Sequence, residues 1–263
     1  MTQRELDIAI VTWKPEGILR LEAMNLPHVE GVRYVVSWQL AGDNPQVPEK
    51  LSSRPDVEVH LLERPGVSAN RNNACRHCTA PVVLMGDDDL TYYPEALREV
   101  IRIFKETPDL DVAMFRHDGE DKYYPDASCR LGIPLPKGMT AAAVDLAVRR
   151  EALQRVRFDE KFGPGAPVWQ AAEDEKFLLD MRRAGMDCRY FPVSICCHDH
   201  PSTGLRAMTP GVAAAAGRYI RLEYPLSWIP RIFLKAWRDQ RKRGKFLPAL
   251  RNMLRGAMSN GDK

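Results

Sequence analysis

In the first half of the chain, apolar residues fall in short runs separated by polar punctuation. The runs "LDIAIVTW" (6–13), "VRYVVSW" (32–38), "VEVHLLE" (57–63), "PVVLM" (81–85) and "LDVAMFR" (110–116) are rich in β-branched residues, which predicts strands. Between them, helices are predicted around 16–24 after Lys14-Pro15, over 67–78 after Gly66, and over 93–107, where Pro94 takes a permitted first-turn position. A polar, Pro-containing loop leads to Leu51. Strands alternating with helices at this spacing predict an α/β fold with a mostly parallel sheet covered on both faces. Such sheets bind ligands outside the carboxyl ends of their strands.

The pattern loosens after residue 140. Residues 141–156 predict a strand running into a helix, and 188–197 predict a further strand. The segment "FDEKFGPGAPVWQ" (158–170) is broken by Gly and Pro and is expected to be a mobile, surface-facing loop, a natural lid. "AAEDEKFLLDMRRAG" (171–185) predicts a helix with acids in its first turn, Arg182 and Arg183 in its last, and Gly185 as its stop. From Leu205 onward the chain becomes basic and amphipathic. That divides it into a body, 1–204, and an extension, 205–263.

Charge sharpens this division. The net charge of +3 over 263 residues conceals an extension with 13 Lys and Arg against Glu223, Asp239 and Asp262, and an acidic body with 25 against 32. A basic segment carrying Trp228, Phe233, Trp237 and Phe246 suits an anionic membrane surface; the plain alternative is a helical extension packed on the body with its basic face in water. Nucleic-acid binding through "RDQRKRGK" is disfavoured by the acidic body and by the lack of a recognition motif. Six cysteines without an export signal, and no run of the 18–20 apolar residues needed to span a bilayer, predict a cytoplasmic protein, free or peripheral on the inner membrane face.

Four clusters are candidates for chemistry. "GDDDL" puts Asp87, Asp88 and Asp89 at a predicted strand end, a costly grouping unless donors or a cation compensate it. One Asp would serve as a turn or helix cap; three favour a hard-oxygen site for Mg²⁺ or Mn²⁺. "GVSANRNNAC" (66–75) offers donors from Ser68, Asn70, Arg71, Asn72 and Asn73, and is also what an ordinary surface helix looks like. Glu173 and Asp174 belong in a helix's first turn, yet either carboxylate, facing a cleft, would take a proton from a hydroxyl. His198 and His200 are two apart and could ligate a metal. With Cys75, Cys78, Cys196 and Cys197 they suggest zinc, although a single CxxC within a predicted helix is a weak zinc pattern.

In order along roughly residues 6–204, these segments resemble the family 2 glycosyltransferases, in particular a bacterial subgroup with GxSxNRN, DDDL, ED and HPST segments. The resemblance implies a GT-A fold, a Rossmann-like single domain over 1–204 with a nucleotide-binding half over about 1–90 and an acceptor half over 91–204, here with a basic helical tail over 205–263. It implies transfer of a sugar from a nucleotide diphosphate sugar to a hydroxyl of a glycan or lipid-linked glycan, in bacterial cell-surface polysaccharide synthesis, with inversion and with Mn²⁺ or Mg²⁺. By matching positions, Asp89 and Asp87 would meet the metal, aided by His200 or His198. Asp87, Asp88, Arg71, Asn72 and Thr12 would line the nucleotide-sugar site, and Asp174, with Glu173 beside it, would be the general base. The chain departs from the family after the second strand, where Ser37, Trp38 and Gln39 replace the acids that read the nucleobase, and at its "IVTWKPEG" opening. A nucleotidyltransferase on a similar sheet, or a non-catalytic sugar-nucleotide or zinc-binding module, are the competing readings.

Overall fold

The computed structural model describes residues 3–119, 122–198, 209–243 and 245–259, without the side chains of 240–243. Strand β1 (Leu6–Trp13) is buried from Leu6 to Thr12, as befits a strand covered on both faces. It lies between two parallel neighbours, β2 (Val32–Gln39) and β4 (Val82–Asp87), and β3 (Val57–Leu62) adds parallel to β2. The strand order β3-β2-β1-β4 means that the chain winds outward from β1 first on one side and then on the other. The gap between the carboxyl ends of β1 and β4 is therefore the topological switch point, where open α/β sheets place their ligands.

Beyond β4 the sheet is mixed. β8 (Leu146–Arg149) lies antiparallel between β4 and β6 (Val112–Asp118), and β6 runs parallel to β9 (Cys188–Cys197). Two-residue strands β5 (Thr91–Tyr92) and β7 (Cys129–Arg130) pair antiparallel with β9. Parallel pairs still carry most of the ladder.

Alternating side chains serve two cores. Ile8, Ile10, Tyr34 and Val36 pack under α1 (Lys14–Ala23) and α4 (Pro94–Glu106). Ala9, Val35, Val83 and Met85 face α3 (Val67–His77) and α6 (Glu173–Arg183). The short helices α2 (Glu49–Ser52) and α5 (Arg150–Arg155) complete the body. A buried charge ties the strands together: Asp7, fully buried, accepts from Arg33 Nε at 2.9 Å and Nη2 at 2.8 Å, and from the backbone N–H groups of Thr79 and Ala80 at 2.6 and 2.9 Å. Four donors compensate its desolvation and lock β1, β2 and the start of β4 in register.

Two expectations need correction. The segment 158–170 is pinned rather than loose: Phe162 and Trp169 are buried, Ser68 Oγ donates to Phe162 O at 2.7 Å, and Asn72 exchanges two bonds with the Phe158 backbone at 2.9 and 3.0 Å. Its aromatic residues outweigh its glycines and prolines. The helix expected from 171 begins at Glu173, because Ala172 sits in the left-handed region (φ 67°).

The C-terminal part forms three helices, α7 (Pro210–Glu223), α8 (Trp228–Arg243) and α9 (Phe246–Met258). α7 and α9 meet backbone to backbone: a Cβ on Gly217 would come within 1.9 Å of Met253 O, and one on Gly256 within 1.9 Å of Ala214 O. α7 also docks on the body, since Glu223 Oε1 lies 3.3 Å from Arg182 Nη2 and accepts from Leu135 N at 3.2 Å, while Ala215 packs with Phe162 and Trp169. No described helix is long and apolar enough to cross a membrane.

Candidate active site

β4 delivers the three aspartates to the switch point, and each has a different partner. Asp88 turns inward. It accepts from Thr12 Oγ1 at 2.5 Å and from Arg20 Nε and Nη2 at 3.2 and 2.8 Å. Burial raises its pKa, with Thr12 and Arg20 opposing the shift. Gly17 makes this arrangement possible: a Cβ there would stand 2.1 Å from Thr12 Oγ1 and 2.9 Å from Asp88 Oδ2. Asp88 thus ties α1 to the ends of β1 and β4.

Asp87 points toward α3 and α6. Arg71, only 4% exposed, places Nη1 3.0 Å from Asp87 Oδ1 and Nε 3.7 Å from Asp174 Oδ1. Its guanidinium also lies over the Phe158 ring at 5.8 Å. Burial opposes its charge, but Asp87, Asp174 and Glu173 together hold it protonated above its ordinary value. One cation therefore joins the aspartate triplet on β4 to the acidic start of α6.

That start carries Glu173, Asp174 and Glu175, whose charge the helix N-terminus favours. Burial is nevertheless the larger effect. It lifts Glu173 to about 8, helped by Asp174, and Glu175 to about 7, helped by the same neighbour. Asp174 is also raised by burial, with Arg71 and a hydrogen bond from the Ala143 backbone holding it down.

Asp89 faces β9, with His198 Nε2 3.2 Å from Asp89 Oδ1. Behind His198, the ring of His117 stands edge-on at 6.0 Å. His117 Nδ1 is 2.7 Å from Asp145 Oδ1, and the Tyr124 hydroxyl and Lys122 ammonium bond the same buried carboxylate. Burial pushes the Asp145 pKa up, yet Lys122 and His117 bring it below its ordinary value. Sequence reading missed these four residues. They are spread over 117–145 and meet only because β6 and β8 pair, although "KYY" beside a strand end was a visible polar-aromatic signal.

Of the expected site residues, Asp87, Asp89, Arg71, Glu173, Asp174 and His198 come together; His200 lies outside the described residues. Thr12 is buried beneath Asp88. Arg71 is spent on two carboxylates rather than open to a nucleotide, and Asn72 on the Phe158 backbone. Asn70 donates to Thr12 O at 2.9 Å and Asn73 to Ser37 Oγ at 2.8 Å, so this helix's amides stitch the fold. Gln39 and Trp38 do likewise, donating to Arg64 O and Lys14 O at 2.7 and 2.8 Å. Cys75 and Cys78 pack against Met85 and the Ala74 carbonyl, and burial pushes the Cys75 thiol up to about 12, which leaves it protonated and unsuited to zinc. Among the described residues, no three His, Cys, Asp or Glu side chains converge as a ready metal cage.

Comparison with known proteins bears on the same segment. Residues 44–163, which include α3, β4 and all three aspartates, match the family model described as Glycosyl transferase family 2. Over this segment, a little under half of its length, the chain is similar to the family 2 glycosyltransferases. Solved glycosyltransferases share its architecture. S. aureus TarS 1-349 aligns with a TM-score of 0.63 at 15% identity, over 96% of this chain and 90% of that one. The same protein in complex with UDP-GlcNAc aligns with a TM-score of 0.57 at 14% identity, over the same shares. The mannosyltransferase PcManGT from Pyrobaculum calidifontis, in complex with GDP-Man and Mn²⁺, gives 0.54 at 18% identity, over 97% of this chain and 69% of that one. At such identities the likeness fixes the GT-A fold of this chain and leaves its substrates to its own residues. No curated protein matches the chain by sequence.

Proposed function

We propose that this glycosyltransferase moves a sugar from a nucleotide diphosphate sugar to a hydroxyl of a glycan or lipid-linked glycan, with inversion at the anomeric carbon, as a step in bacterial cell-surface polysaccharide synthesis. The observation that carries this reading is the single buried guanidinium of Arg71 between Asp87 and Asp174, at 3.0 and 3.7 Å. It fixes the donor-side acids relative to the acceptor-side acid at the sheet's switch point, and such positioning lowers the entropic part of a barrier. PcManGT and TarS, bound to GDP-Man with Mn²⁺ and to UDP-GlcNAc, add support for a nucleotide-sugar donor.

Asp89 and His198 would supply ligands to a divalent ion of the Mn²⁺ or Mg²⁺ kind: a carboxylate oxygen and an imidazole nitrogen lie 3.2 Å apart, with Asp87 two residues along the chain. Two protein ligands suffice where substrate phosphates and water complete the shell. Such an ion, when bound, supplies Lewis-acid stabilisation of the charge on a departing diphosphate. The chain's own work is proton transfer. At neutral pH Glu173, at about 8, holds its proton and is poor as a base. Asp174, whose pKa burial raises and Arg71 lowers, is the carboxylate placed to accept the proton of the acceptor hydroxyl. Attack from that side, opposite the leaving group, inverts the anomeric centre.

Asp174→Asn tests the assignment. Donor binding should stay within about twofold of wild type while transfer falls by about 10²–10⁴, the usual contribution of a positioned base. Loss of donor binding in this variant would give Asp174 to the donor instead.

A further inference from the structure

The C-terminal helices bury one side and expose another that is unusually apolar. α8 directs Ile232 and Ala236, both fully buried, into a small core shared with Ile220 and Met253. A surface helix normally turns polar residues outward. Here Ile229, Phe233 and Leu234 are 58%, 54% and 44% exposed, with Pro230 and Trp237 on the same shallow apolar concavity. Leu226, in the turn before α8, is fully exposed. The Phe233 ring meets Phe246 edge-on at 5.1 Å, and Leu247 follows at 72% exposure. Apolar surface concentrated in this way marks a binding face.

Cations surround it. Arg231 and Arg238 are exposed on α8, and Arg251 and Arg255 are exposed on α9. The extension carries 13 Lys and Arg against three acids. We propose that the exposed apolar face of α8, continued by Phe246 and Leu247, docks this enzyme on an anionic lipid bilayer, with the flanking arginines against lipid phosphates. The occupant follows from the two demands taken together. Nucleic acid would satisfy the cations and leave Ile229 and Leu234 in water. A second copy would set one positive extension against another. A bilayer with anionic headgroups accepts the side chains in its acyl boundary and the cations at its surface.

α8 itself bears on the acidic start of α6. Lys235 of α8 acts on the charge of Glu175, and α7, which leads into α8, is held to the last turn of α6 by the Arg182–Glu223 pair. If the reading of Asp174 as the base is right, a bilayer on α8 would present a lipid-linked acceptor on the base's side.

The docking itself is tested without any sugar donor, so its failure and failure of the activity reading are distinguishable. The full chain is sedimented with vesicles of phosphatidylcholine alone and of phosphatidylcholine mixed equally with phosphatidylglycerol. Binding to the mixed vesicles, and little to the neutral ones, is expected. Arg231→Gln with Arg238→Gln should weaken it by about fivefold per lost cation. Ile229→Gln with Leu234→Gln should weaken it by about tenfold or more, with unchanged thermal melting, because both side chains are exposed. Equal binding to both vesicle types, no binding, or indifference to the Ile229 and Leu234 changes would overturn the proposal. So would a dimer that Ile229→Gln with Leu234→Gln dissociates, or salt-sensitive binding to a DNA duplex with none to vesicles.

Discussion

Arg71→Ala removes the cation that the structure places between Asp87 and Asp174. The guanidinium is 4% exposed, and its two partners are 32% and 19% exposed. Removing one member of a fully buried ion pair costs about 3–5 kcal/mol, because the abandoned charge stays desolvated. Partial exposure of both carboxylates argues for the lower end, about 3 kcal/mol. At about 2–4 °C per kcal/mol for a chain of this size, the melting temperature should fall by roughly 6–12 °C. The loss has a pH signature. Without Arg71 the pKa values of Asp174 and Glu173 rise further, so the variant's deficit should be large near about pH 8 and shrink near about pH 5, where the orphaned acids take up protons. Circular-dichroism melts at both pH values, with turnover measured alongside, give the comparison. Arg71→Lys keeps the charge but not the fork and should fall between. A variant that melts within about 1 °C of wild type at the higher pH and still turns over would refute the bridging role.

Glu173 makes a separate prediction. Its folded-state pKa of about 8 stands above the ordinary 4.5, so the fold holds a proton that the unfolded chain releases, and stability should decline as pH rises between those values. Glu173→Gln should flatten that decline in urea titrations run across the window. Gly17→Ala improves helix propensity by about 1 kcal/mol, yet the new Cβ would lie 2.1 Å from Thr12 Oγ1. The clash should win, with a net loss of about 1–3 kcal/mol by chemical denaturation. Asp7→Ala strands two backbone N–H groups and leaves buried Arg33 with Glu58 as its remaining carboxylate, and should cost about 3 kcal/mol, the low end for a broken buried pair, by the same assay.

The parallel half of the sheet was readable because each strand is a short apolar run closed by a Gly, Pro or Asp signal, as in "IVTWKP" and "LMGDDD". The aspartates were readable for a related reason: a strand end is a fixed address in an α/β sheet. β8 was readable as a strand running into a helix, but its place in the sheet was not: its antiparallel position between β4 and β6 is decided by pairing partners far off in sequence. The same holds for the His117, Lys122, Tyr124 and Asp145 group. Donor-rich α3 misled in the other direction. Asn70, Asn72 and Asn73 look like ligand contacts in a string of letters, and only tertiary structure shows their amides spent on Thr12, Phe158 and Ser37. Residues 158–170 show how Phe162 and Trp169, by burying their rings, immobilise a segment whose glycines and prolines read as a lid.

The central claim is that the outer aspartates of β4, with His198, receive a nucleoside diphosphate and its divalent ion. Thermal shift of the wild-type chain and of Asp89→Asn, with a panel of nucleoside diphosphates in the presence and absence of Mn²⁺, tests it most directly. At least one nucleotide should raise the wild-type melting temperature only when Mn²⁺ is present, and that rise should vanish in Asp89→Asn. A rise of equal size in the variant, or no response to any nucleotide with the metal supplied, would contradict the account.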